Sequence, residues 1–200
     1  MKKKLFERLF LFYCLLLLFT AISILFERET RTVSVVVIVD KEDFGSPSSL
    51  DAVRNALSFS GVELEKNFKI ALKIKFFDAW NFPAGKENLD AETAYDNVRQ
   101  ISKTKNADIV IAYTSKPIYE MIFTEIDGEY APFPSLCYGS TIVLGNSALV
   151  GINEHINLAT LHEIYHIFGA EHVVDPEISI MRSPMTSAKD LYIRNFNIVM

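Results

Sequence analysis

His162-Glu163-Ile164-Tyr165-His166-Ile167-Phe168-Gly169-Ala170-Glu171-His172 holds three of the four histidines of a 200-residue chain. Positions i and i+4 of a helix share a face about 6 Å apart, so His162 and His166 can offer imidazole nitrogens to one metal ion. Glu163 lies about 100° round the helix from His162, beside such an ion rather than on it. Gly169 can take the left-handed conformation that ends a helix, and the resulting bend brings His172 back as a third ligand. Three neutral imidazoles leave one position of a Zn²⁺ ion open to water, as in a catalytic rather than a closed structural site. H-E-x-x-H alone is a weak signal; requiring Gly169 and His172 makes a chance match about a thousandfold rarer. The bland alternative is an amphipathic helix with incidental surface histidines. Against it, Leu158, Leu161, Tyr165 and Phe168 recur at core spacing, so one side can anchor the helix while another presents His162 and His166.

Upstream, Val33-Ser-Val-Val-Val-Ile-Val-Asp40 is a β-branched run suited to a strand buried on both faces. The cluster Gly45-Ser-Pro-Ser-Ser49 is a turn whose last serines can cap a helix over about 50–66, with Gly61 as a point of weakness. Ile70–Phe77 alternates as a second strand, residues 90–103 read as a second helix, and Ala107–Tyr113 is a third strand. This alternation argues for a largely parallel sheet with helices against it. Residues 115–140, with Pro117, Gly128, Pro132, Pro134 and Gly139, read as irregular, and Ser140–Leu144 as a last short strand. A helix over about 154–168 carries the histidines. Residues 170–186 look loop-like, and Ser187-Ala-Lys-Asp190 resembles a capping box opening a closing helix.

The eleven residues 162–172 resemble the signature of the metzincin clan of zinc endopeptidases, H-E-x-x-H-x-x-G-x-x-H followed by a Met-turn. A methionine follows, Met181, nine residues after His172. The spacing is closest to the matrixin branch. The resemblance implies a mixed, mostly parallel twisted sheet, an active-site helix and a small C-terminal subdomain ending in a helix. It also implies Zn²⁺ on His162, His166 and His172, Glu163 as general base, and Met181 beneath the ligands. The substrate would be a peptide or protein, laid along an antiparallel edge strand expected within 115–138. The chain departs from matrixins in lacking a Pro-Arg-Cys-Gly-like segment and any histidine before position 155, and Arg182 and Ser183 follow the methionine. Two rival functions are a non-catalytic zinc-containing module that binds peptides, and a zinc hydrolase of other substrates. The retained Glu163 speaks against the first, since a structural site has no use for a base.

Other residues near the signature have simpler readings. His155 lies two turns before His162 and reads as a helix-start histidine rather than a ligand. Glu171 reads as an exposed loop acid, and Met181 has a core-filling alternative. Cys137 is the one thiol outside the first 26 residues, which leaves no partner for an internal disulfide there.

Charge and hydropathy set the remaining bounds. The chain carries 20 basic and 25 acidic side chains and half its residues are apolar. Disordered, fibrous and disulfide-stapled classes are excluded, and no basic patch invites nucleic acid. Residues 9–26 are 18 positions without a charge, preceded by Lys2, Lys3, Lys4 and Arg8. Residues 1–26 therefore read as a signal-anchor or signal peptide, with the length favouring an uncleaved transmembrane anchor. The flanking charge places residues 27–200, the catalytic domain, outside the cytoplasm, membrane-anchored or secreted.

Overall fold

The computed structural model of the chain describes residues 12–13, 29–82, 89–126, 129–142 and 144–171. Contacts divide the chain into Met1–Arg31 and Thr32–Met200, and the elements below build the second unit. Strand β1 (Arg31–Asp40) leads into a short helix α1 (Lys41–Phe44) and the long helix α2 (Pro47–Phe68). Strand β2 (Ile70–Trp80), the brief β3 (Leu89–Asp90), helix α3 (Ala91–Ser102) and strand β4 (Ile109–Thr114) follow. Then come β5 (Ile118–Ile126), β6 (Glu129–Cys137), β7 (Gly139–Thr141), β8 (Ser147–Gly151) and helix α4 (Ile156–Ile167).

Five strands form the central sheet in the order β2-β1-β4-β8-β7. β1 and β4 are parallel, with Val37 opposite Ile111, and so are β4 and β8, with Ala112 opposite Leu149. β7 runs antiparallel to its neighbour β8, and it ends the sheet. The mixed, mostly parallel sheet expected from the alternation of elements is therefore present. Its central strands are buried on both faces, which is why Val35–Val39 could be apolar without alternation. Val35, Val37 and Val39 join Ile111 and Tyr113 in a core covered by α2 and α4. Val36 and Ile38 join Val110, Ala112 and Leu149 in a second core covered by α3, Trp80 and Ile118.

Local chemistry sets where α2 begins. The Ser46 hydroxyl accepts from the Ser49 amide, and Pro47 sits where its missing N–H costs nothing. The cap is thus Ser46 rather than the later serines, and α2 runs through Gly61 without a break. Its buried face is Val53, Ala56, Leu57, Ser60 and Leu64, leaving Val62 outside. α3 repeats the spacing with Ala91, Ala94, Tyr95, Val98 and Ser102.

Two sequence expectations are overturned. The stretch 115–140 is not irregular: β5 and β6 form a long antiparallel hairpin that pairs with β3. β6 lies at the edge of that sheet, and Pro132 and Pro134, two residues apart, direct their missing N–H groups to one side. The last strand expected at 140–144 is two strands, β7 and β8, joined through a tight turn in which the Gly145 amide donates to the Ile142 carbonyl at 2.8 Å.

The membrane-anchored, extracytoplasmic location is also corrected. Among the described residues no helix is long and apolar enough to cross a membrane. The longest, α2, carries a row of charged side chains. Of residues 9–26 only Phe12 and Tyr13 are described. His172, Met181, the loop at 172–186 and the closing helix with its subdomain lie outside the described residues.

Candidate active site and metal centre

α4 begins where Asn153 folds back, its side-chain oxygen accepting the His155 amide at 2.8 Å. The His155 carbonyl then accepts the amides of Leu158 and Ala159. The far end closes by the paired bonds of a Schellman motif: Gly169 N–H donates to the His166 carbonyl and Ala170 N–H to the Tyr165 carbonyl, both at 2.9 Å. Gly169 has φ +93°, a conformation an L side chain rarely adopts, so the glycine in the signature is spent on this turn.

α4 is not half-exposed as its spacing suggested. Every residue from Ala159 to Ile167 is buried, with His162 7%, Glu163 5% and His166 6% exposed. Leu161, Ile164 and Tyr165 reach the core beneath β4 and β8, where the Tyr113 hydroxyl meets that of Thr160 at 3.2 Å. Phe68 of α2 packs edge-on against Tyr165. The histidines are thus almost fully covered.

The two rings stand perpendicular, centroids 4.6 Å apart, with Nε2 of His162 and Nε2 of His166 at 3.1 Å. His166 Nδ1 lies 2.7 Å from the Ala170 carbonyl. A carbonyl only accepts, so Nδ1 carries the proton and Nε2 turns a lone pair toward His162. Two imidazoles on one zinc ion at about 2.05 Å, near the tetrahedral angle, have nitrogens about 3.3 Å apart. The observed separation and the carbonyl-fixed tautomer fit a shared metal ion, and a hydrogen bond to the outer ring nitrogen is the usual support of a metal-bound histidine. Among the described residues no group of three His, Cys, Asp or Glu side chains is close enough to hold a metal ion.

Glu163 is placed by the edge strand. A Cβ built at Gly139 would stand 2.5 Å from Glu163 Oε1 and 2.7 Å from its Cγ, so the carboxylate side chain lies directly against the backbone of β7. That strand lies just beyond the 115–138 window in which an antiparallel edge was expected. Sequence reasoning missed Gly139, although a glycine opening a short strand is a signal of close approach. It also missed Leu144, whose amide donates to the His166 carbonyl at 2.9 Å. His155 sits at the start of α4, its ring edge-on to Tyr138 and its Nε2 3.4 Å from Glu154. Glu171 is exposed. The Cys137 thiol donates to the Gly139 carbonyl at 2.5 Å.

No protein-family model matches the chain, and no curated protein does. Solved structures do resemble it. Archaemetzincin from Methanopyrus kandleri superposes with a TM-score of 0.54 at 17% identity, over 78% of this chain and 83% of that one. A chaperone–substrate complex contains a chain that superposes with a TM-score of 0.55 at 16% identity, over 75% of this chain. This chain spans about a quarter of that one, 25% of its length. Archaemetzincin from Archaeoglobus fulgidus, complexed with malonate, gives 0.48 at 13% identity, over 74% and 85% of the two chains. At such identities the likeness is one of fold, shared with the Methanopyrus kandleri archaemetzincin.

Proposed function

We propose that the chain is a zinc-dependent endopeptidase. The observation that carries this reading is the 3.1 Å approach of the two Nε2 atoms, with His166 held in the ligating tautomer by the Ala170 carbonyl. His162 and His166 would hold the ion, with His172 as the third ligand the signature supplies. When bound, zinc contributes Lewis acidity toward a substrate carbonyl and toward water.

The chain's own groups do the rest. The substrate is an extended peptide added to the open side of β7, the antiparallel strand that ends the sheet. That addition satisfies backbone groups on both partners and brings a scissile bond past Gly139, against which Glu163 lies. Glu163 takes the proton of the attacking water and passes it to the leaving amine, so one carboxylate serves as base and then as acid. The burial of Glu163 keeps bulk water from competing for that proton. The resemblance would give Met181 the role of supporting the ligand set. The signature's spacing places the chain near the matrixin branch, and the fold similarity to archaemetzincin supports the clan.

Glu163→Gln tests the assignment. The variant is expected to bind one zinc per chain as wild type does, and to lose about 10²–10⁴-fold in kcat on a peptide library. Chelator-sensitive cleavage by wild type, absent from the variant, separates this reading from a peptide-binding module that keeps zinc only for structure. Equal turnover in the variant removes Glu163 from the chemistry.

A further inference from the structure

We propose that Leu144 is a positioning residue for His166, an inference that rests on the reading of His166 as a metal ligand. Leu144 adopts φ 59° in the turn between β7 and β8, a left-handed conformation that glycine or asparagine would hold at lower cost. Its side chain is 77% exposed, so burial does not explain why a large apolar residue stands there. Its contacts do. The Leu144 N–H donates to the His166 carbonyl at 2.9 Å, sharing that oxygen with the Gly169 N–H at the same distance. Leu144 Cδ2 occupies the space a side chain at 169 would need, 2.9 Å from a Cβ built there. Leucine at 144 and glycine at 169 are therefore complementary.

The turn that presents Leu144 is tight. A Cβ at Gly145 would meet the Ile142 carbonyl oxygen at 2.7 Å, so only glycine fits beside that carbonyl. The consequences run through three residues. Leu144 holds the His166 backbone oxygen and covers Gly169, the covered glycine sets the path into Ala170, and the Ala170 carbonyl receives His166 Nδ1–H at 2.7 Å. The ring direction of a metal ligand is thus fixed from a strand turn on the neighbouring sheet, through contacts that involve no substrate. Strained backbone beside a functional group is a recurring sign of such service.

The test uses the full chain with Leu144→Ala, Leu144→Gly and Leu144→Met. In the metal-free protein the His166 Nδ1 proton, followed by NMR, should exchange at least about tenfold faster in Leu144→Ala than in wild type, with Leu144→Met close to wild type. Zinc affinity should fall about 10–100-fold in Leu144→Ala, the usual effect of removing support from a ligating histidine, and recover in Leu144→Met. Leu144→Gly, whose backbone is relaxed at this φ, should lose zinc as Leu144→Ala does, because the missing isobutyl group is what matters. The cobalt-substituted protein should show a shifted visible spectrum in both small variants. Unchanged proton exchange and zinc affinity in Leu144→Ala overturn the proposal. So does a raised peptide KM with unaltered zinc affinity, which makes Leu144 a substrate contact. A wild-type chain that binds no zinc sinks the metal reading, while the proton-exchange comparison still decides what Leu144 does to His166.

Discussion

A methyl group at position 139 would collide with Glu163, because the built Cβ falls 2.5 Å from Oε1 and 2.8 Å from Cδ of a side chain that is itself buried. Gly139→Ala should therefore push the carboxylate away from β7. We expect kcat to fall at least about tenfold and stability by about 1–3 kcal/mol, the usual cost of overpacking. Peptide-cleavage kinetics beside a denaturant titration check both. Tyr165 offers a second single-residue prediction. Burial, aided by the Glu63 carboxylate, pushes its hydroxyl up to about 12. Below about pH 10 both folded and unfolded chains keep the phenol neutral and stability is full; as pH rises toward 12 the unfolded chain ionises first and stability falls. Tyr165→Phe should flatten that decline in denaturation curves recorded between pH 9.5 and 11.5. Burial also raises the Tyr113 hydroxyl, which titrates in both proteins and cancels. At this scale the sequence named the candidate site side chains but not what faces them. Gly139 meets Glu163 from a distant part of the sequence, and the Ala170 carbonyl meets His166 through the turn that ends its own helix; neither contact leaves a periodic trace.

Among the elements, α2 ends in Lys69, whose φ of 57° is left-handed and whose N–H donates to the Glu65 and Leu64 carbonyls. A glycine would adopt that conformation without a Cβ penalty, so Lys69→Gly should stabilise the chain by about 1 kcal/mol, read as a rise of several degrees in Tm. A drop instead would mean that the lysine side chain contributes at the helix end. The strands β1, β2 and β4 and the helices α2, α3 and α4 were readable because β-branched runs, period-2 alternation and 3.6-residue spacing are local signals. The hairpin β5–β6 was not. Pro132 and Pro134 look like breakers unless one knows that their strand has a neighbour on one side only. β8 escaped notice because Ser147-Ala-Leu-Val-Gly151 is short and its burial on both faces depends on β4 and β7. The helix α4 was found, but its all-round burial was not, since its polar residues are covered by parts of the chain distant in sequence.

Across the whole molecule, the parallel core and the site are joined rather than separate. α4 belongs to the same apolar cluster as β1, β4 and α2, so the histidine pair sits on an element that the main core holds in place. A ligand that binds only the folded chain stabilises it by mass action. Zinc removal by a chelator is therefore expected to lower Tm by several degrees in wild type and in Glu163→Gln alike, as followed by calorimetry. An unchanged Tm on chelation would dissociate the metal from the fold. The covered position of His162 and His166 has a kinetic corollary. An ion seated between rings with so little open surface would exchange slowly with the medium, entering or leaving only as α4 and the segments covering it part. Occupancy would then record the history of the molecule's maturation more than the free-ion level at any later moment, and brief metal scarcity would leave finished copies in service.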